Sequence, residues 1–169
     1  MANSNVKLRA PRQFTSPRVR VPGSKSFTNR ALISAACGTG KATLRGYSKS
    51  DDTEVLISAL EVLGVGFEEQ ATELSVTGSA GKFSPYIGDI NVGAAGTSMR
   101  FLTALCSFVE GCAVVLKGSE RMHERPIDDL VEPLRFLGAD IEYLGTRGCP
   151  PILIRGVGTT SSCLVEVKG

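Results

Sequence analysis

The sequence predicts an α/β (α+β) fold made of repeated βαβαββ units whose first helices are buried. Three observations carry that prediction. Residues 19–78 and 90–156 read as two versions of one pattern, and self-similarity over such a period means stacked supersecondary units. Within each version, β-branched runs alternate with apolar runs of helical length, separated by glycine- and serine-rich turns. The two helices of each version also differ in kind. One is apolar or small on nearly every side, as in a buried helix, and the other carries a single apolar stripe.

The first unit opens on Val19-Arg20-Val21, a strand by its β-branched content, and turns at Pro22-Gly23-Ser24. Ser26–Cys37 follows as the expected buried helix, then a strand closing on Leu44-Arg45-Gly46. Asp51 and Asp52 suit a helix start, where the positive dipole end favours acids. Val55, Leu56, Ala59, Leu60 and Leu63 form that helix's stripe, and Gly64 stands where a left-handed cap is needed. Val65–Glu68 and Leu74–Thr77 are the closing strands, and Ser79–Pro85 is a polar linker. The second unit repeats the order with Ile90-Asn91-Val92, the helix Thr97–Phe108, and a strand ending in Leu116-Lys117-Gly118. Asp128 and Asp129 open its second helix, striped by Leu130, Val131, Leu134 and Leu137 and capped by Gly138, before strands Ile141–Leu144 and Ile152–Arg155. Cys163–Lys168 alternates like one more strand. The expected division is therefore residues 1–20 as an N-terminal segment, 21–80 and 88–158 as two units, and 159–169 as the opening strand of an incomplete third.

Composition narrows the function classes. The 169 residues are 42% hydrophobic and 21% charged, which is ordinary globular usage. No apolar run approaches the ~20 residues of a membrane span, and the first residues lack the apolar stretch of a secretory signal. With 19 basic and 17 acidic side chains the net charge is +2, so an anion site has to be local and bulk charge does not call for nucleic acid. The five cysteines (Cys37, Cys106, Cys112, Cys149, Cys163) are odd in number and widely spaced, and are expected to be buried thiols in a cytoplasmic protein. With His123 as the one histidine, no metal site is expected.

Two places join a glycine-bearing turn, a buried helix start and cations. At Gly23-Ser24-Lys25-Ser26-Phe27-Thr28-Asn29-Arg30, unpaired N–H groups and the positive dipole end can receive an anion, with Lys25 and Arg30 adding full charges. Spacing alone equally allows a plain serine cap with solvated Lys25 and Arg30. Lys25 is electrostatically misplaced at a helix start unless an anion arrives. Neither this turn nor Gly38-Thr39-Gly40-Lys41 meets the P-loop pattern. At Gly93-Ala94-Ala95-Gly96-Thr97-Ser98-Met99-Arg100, small residues let backbone approach a ligand, or simply make a tight turn while Arg100 pairs elsewhere. A third segment, Ser119-Glu120-Arg121-Met122-His123-Glu124-Arg125-Pro126-Ile127, precedes a helix and either holds an anion or is a solvated loop whose charges cancel against Glu120 and Glu124, with His123 a bystander.

Taken together, Pro22–Ser26, Asn29–Leu32, Asp51–Thr53, Gly96–Arg100 and Arg121–Ile127, in this order and spacing, resemble the 5-enolpyruvylshikimate-3-phosphate synthase (3-phosphoshikimate 1-carboxyvinyltransferase) family over essentially the whole chain. The resemblance implies a two-domain enzyme, each domain made of βαβαββ units whose buried helices point their amino ends into the cleft. It implies transfer of the enolpyruvyl group of phosphoenolpyruvate to the 5-hydroxyl of shikimate 3-phosphate, in aromatic amino acid biosynthesis, with no metal or organic cofactor. By resemblance Lys25 is catalytic and touches both substrates. Ser26 and Arg30 bind shikimate 3-phosphate, and Gly96 and Arg125 bind phosphoenolpyruvate where glyphosate competes. Thr97 and Arg100 are supports.

Ala94 and Phe101 depart from the family pattern, which has asparagine and often proline there. The chain is also far shorter than such an enzyme. It is expected to be a half-site without turnover, lacking the remainder of the two-domain protein, with residues 1–20 belonging to the partner domain. Two other readings compete: the sister UDP-N-acetylglucosamine enolpyruvyl transferases, and an RNA-binding βαβαββ module. Aromatics at 6%, scattered and without tryptophan, give little to stack bases on.

Overall fold

A computed structural model describes residues 21–158 together with 7, 9, 18, 164 and 165. The first half runs α1 (Lys25–Cys37), β1 (Lys41–Arg45), α2 (Asp51–Val62), β2 (Gly66–Gln70) and β3 (Glu73–Thr77). The second runs β4 (Ile87–Asn91), α3 (Gly96–Ser107), β5 (Ala113–Lys117), a 3-10 turn at Glu120–Met122, α4 (Asp128–Phe136), β6 (Asp140–Tyr143) and β7 (Ile152–Arg155).

The sheets share one topology. β1-β3-β2 and β5-β7-β6 are both antiparallel in the same order, and β4 adds a parallel edge to β5 in the second. Register explains the burial. Ala42↔Val76 and Leu44↔Leu74 in one sheet answer Val114↔Ile154 and Leu116↔Ile152 in the other, so alternate residues share the core face. The helices close the structure between the sheets: α1 packs on α2 and α3, and α3 on α2 and α4. One continuous apolar core results, from Leu32 and Leu60 through Met99 and Leu102 to Ile152 and Ile154. Gly64 (φ +88°) and Gly138 (φ +101°) hold the left-handed conformation that ends the stripes of α2 and α4.

Three expectations are corrected. Of the strand expected at Val19–Val21, Val19 and Arg20 lie outside the described residues, and Val21 is irregular and exposed. Likewise Leu164 and Val165 are in no strand, and the rest of the expected Cys163–Lys168 strand lies outside the described residues. Second, α1 is buried on one face only, through Thr28, Asn29, Leu32 and Ala36. Phe27, Arg30, Ser34 and Cys37, spaced by three or four, form an exposed stripe, whereas no residue of α3 is exposed. The difference is position: α3 lies among β5, β7 and three helices, while α1 lies at the side of the assembly. Third, Cys106 and Cys112 are buried thiols as expected, but Cys37 is exposed and Cys149 half-buried, Cys163 being outside the described residues.

Candidate functional site

The amino ends of three helices meet. Lys25 at the start of α1 pairs through Nζ with Asp52 Oδ2 of α2 at 3.1 Å, and Ser98 Oγ in α3 donates to the Asp52 carbonyl at 3.3 Å. The turn into α1 is tight because Gly23 lies on the next loop: a Cβ there would stand 2.2 Å from Gly46 O. Ser24 caps the helix, its Oγ accepting from Phe27 N at 3.5 Å. Thr28 Oγ1 accepts from Ser48 N at 2.9 Å and so fastens the β1–α2 loop to α1.

Arg30 leaves the first turn of α1, its Nη1 donating to Ser26 O at 3.0 Å. It faces a cavity of about 290 Å³ with Gly96, Thr97, Arg100, Phe101 and Arg125. Arg125 reaches in from the far segment until its guanidinium rests on Gly96. Arg100 ties that arrangement together, Nη1 donating to Gly96 O at 3.2 Å and Nη2 to Pro126 O at 3.0 Å. Arg100 is thus bonded to the backbone of both α3 and the segment that carries Arg125. Arg30 and Arg125 have no carboxylate partner among the described residues. Two guanidinium groups without a carboxylate partner thus stand by the start of a buried helix, where the positive dipole end adds to their charge.

Of the five candidate residues, Arg30, Gly96 and Arg125 share this cavity. Lys25 and Ser26 do not line it. Ser26 is exposed on the first turn, its carbonyl engaged by Arg30. Lys25 turns to Asp52, so the anion that its place at a helix start demanded is, here, a protein carboxylate. His123 is a local acceptor, its Nε2 taking the Gly118 N–H at 3.3 Å, which fits the bystander reading. Among the described residues no group of three or more His, Cys, Asp or Glu is placed to hold a metal ion, and no helix is long and apolar enough to cross a membrane.

Sequence reasoning missed two participants. Asp52 belongs to the Asp51–Thr53 segment and is assigned by sequence no role beyond that of a helix-start acid, since pairing it with Lys25 needs the packing of α1 on α2. Asn29 is almost wholly buried, accepting from Thr53 Oγ1 at 3.4 Å while its Nδ2 has no partner. The signal for it is its place in the Asn29–Leu32 segment, beside Arg30 at the start of the helix.

Two sheets of one topology, with helix amino ends gathered beside arginines that have no carboxylate partner among the described residues, define an α/β protein with a cationic cavity at its helix starts. The family profile described as EPSP synthase (3-phosphoshikimate 1-carboxyvinyltransferase) matches residues 10–167, and the chain belongs to that family. It is 44% identical over 151 residues to the 3-phosphoshikimate 1-carboxyvinyltransferase of Cupriavidus necator, and 41% over 161 residues to that of Cellvibrio japonicus. These matches cover 89% and 95% of this chain but only 35% and 37% of the relatives. Among solved structures, the EPSP synthase from Acinetobacter baumannii superposes with a TM-score of 0.81 at 26% identity, over 88% of this chain and 34% of that one. The chain therefore spans about 35% of the length of the curated relatives it matches.

Proposed function

We propose that this chain is the N-terminal part of a 3-phosphoshikimate 1-carboxyvinyltransferase and supplies one wall of its active site. The observation that carries the reading is the shared cavity of Arg30, Gly96 and Arg125 at the amino end of α3, within a chain of this family. Both substrates are polyanions, and unpaired guanidinium groups suit them. In this reading Arg30 and Ser26 hold shikimate 3-phosphate, and Arg125 clamps phosphoenolpyruvate against Gly96. Lys25 moves from Asp52 to lie between the substrates. The 5-hydroxyl gives up its proton as its oxygen adds to C2 of phosphoenolpyruvate and C3 gains a proton; C3 then loses a proton as the C2–O bond to phosphate breaks and phosphate leaves. Lys25 serves as charge stabiliser and proton carrier.

The division into residues 1–20 of the partner domain, units 21–80 and 88–158, and the start of a third unit at 159–169 is part of the same proposal. So is a place in the cytoplasm, which suits the free thiols Cys37, Cys106, Cys112 and Cys149. One wall is expected to bind weakly and not to turn over. Titrating shikimate 3-phosphate into the isotope-labelled chain should shift amides of Gly23–Arg30, and RNA should shift none. Mixing with the remaining two thirds of a relative's sequence should restore phosphate release. A response to RNA alone, or inactivity of a correctly assembled mixture, overturns the reading.

A further inference from the structure

Beside the cavity of Arg30 lies a second, of about 540 Å³, lined by Ala94, Ser119, Arg121, Met122 and Arg125. Arg125 lines both. Arg121 and Arg125 are four residues apart on the 3-10 turn Glu120–Met122 and its continuation, and the buried side chain of Met122 anchors that turn in the core. The hollow's rim is held firmly. Ser119 N donates to Gly93 O at 2.9 Å, Arg125 N to Met122 O at 3.1 Å, and Gly118 N to His123 Nε2 at 3.3 Å.

The charge pattern sets this hollow apart from the sheets. Cations on the sheets are neutralised by protein: Lys41 by Glu68, Arg45 by Glu73, Lys117 by Asp89, Arg155 by Asp140 and Glu142. Arg121 and Arg125 have no such partner among the described residues, although Glu120 and Glu124 adjoin them in sequence. Two guanidinium forks and a hydroxyl around one hollow are the donor set of a tetrahedral oxyanion.

We propose that Arg121, Arg125 and Ser119 form a second oxyanion subsite that takes inorganic phosphate and adjoins the first through Arg125. Binding there does not depend on the proposed function. Its use rests on that reading, in which phosphate freed on elimination passes from Arg125 towards Arg121.

Inorganic phosphate titrated into the labelled chain at constant ionic strength should shift the amides of Ala94, Ser119 and Met122 saturably. Arg121→Gln should weaken that binding about tenfold, the loss of one charge-assisted fork. Arg121→Lys should recover part of it, and Lys82→Gln, on a distant linker, should leave it unchanged. In the unsubstituted chain, phosphate should protect Arg121 from phenylglyoxal, as mapped by mass spectrometry. Unchanged phosphate affinity in a folded Arg121→Gln chain, or absent protection, overturns the subsite. The two readings fail separately. Shikimate 3-phosphate shifting Gly23–Arg30 while phosphate leaves Ser119 still removes only the subsite, and the reverse pattern removes only the proposed function.

Discussion

The guanidinium of Arg125 rests on the bare Cα of Gly96: a Cβ built on that glycine would stand 2.6 Å from Nη1 and 2.9 Å from Nη2. The missing side chain at the first position of α3 is what lets a cation from another segment sit over the helix start. Gly96 is buried, so the fit is part of the packed structure. Arg100 reinforces it by binding the Gly96 and Pro126 carbonyls on either side.

Gly96→Ala is therefore expected to move Arg125 while costing little stability, because the clashing atoms are the far end of a flexible side chain. Stability should change by less than about 1 kcal/mol, as for substitutions without a cavity or orphaned group. In the reassembled enzyme, affinity for phosphoenolpyruvate should fall about tenfold, the worth of one charge-assisted contact. Denaturant unfolding and the KM for phosphoenolpyruvate check the two halves. A small stability change with unchanged KM would show that Arg125 relocates without loss to phosphoenolpyruvate binding, and a large stability loss would show that Arg125 cannot give way.

The Lys25–Asp52 pair gives a second test. Lys25 is half-exposed, so the pair contributes at most about 1 kcal/mol, and Asp52→Asn should barely shift the unfolding midpoint. Lys25→Met should be equally mild for folding. In the reassembled enzyme, however, it should lower kcat at least about a hundredfold, the usual scale for removing a group that moves protons or stabilises charge. Turnover close to the unsubstituted level would remove Lys25 from the proposed chemistry.

What could be read from the residues and what could not follows from the range of the forces involved. Helix stripes and glycine caps are local, so the stripe Leu56–Leu60 and the caps Gly64 and Gly138 were visible as patterns. The exposed stripe Phe27–Cys37 was not, because α1 and α3 read alike and differ only in how many elements surround each. The cations were found because they stand beside small-residue turns. Sorting Arg30 and Arg125 into one cavity and Lys25 onto Asp52 required the crossing of chain segments far apart in sequence. No periodicity encodes that.

Asn29 offers a test of buried polarity. Its Nδ2 is buried without a partner, and such an orphaned donor costs about 1–3 kcal/mol. Leu has nearly the same shape, and Thr53 Oγ1 keeps its 3.0 Å contact with Ser50 Oγ. Asn29→Leu should therefore leave stability unchanged or raise it by about 1 kcal/mol, measured by urea unfolding. A loss above about 2 kcal/mol would mean that the amide is satisfied by an ordered water whose removal is costly.

Cys106 links burial to pH. Desolvation, with a smaller contribution from the neighbouring Cys112, pushes its thiol from the ordinary 9.0 up to about 12. Below pH 9 folded and unfolded chains both hold the proton, so stability is unaffected. Above it the unfolded chain releases the proton and the folded chain keeps it. Folding then weakens by about 1.4 kcal/mol per pH unit until the folded value is reached. Cys106→Ala should start less stable by about 1 kcal/mol, from the small cavity it leaves, but should lose less between pH 9 and 11 than the unsubstituted chain. Other alkaline groups titrate alike in both proteins, so the difference in slope isolates this thiol. Mass spectrometry after alkylation at pH 8 should show Cys37 and Cys149 modified well before Cys106. Parallel stability curves, together with early modification of Cys106, would mean that this sulfur meets solvent and that α3 is not the enclosed helix its packing describes.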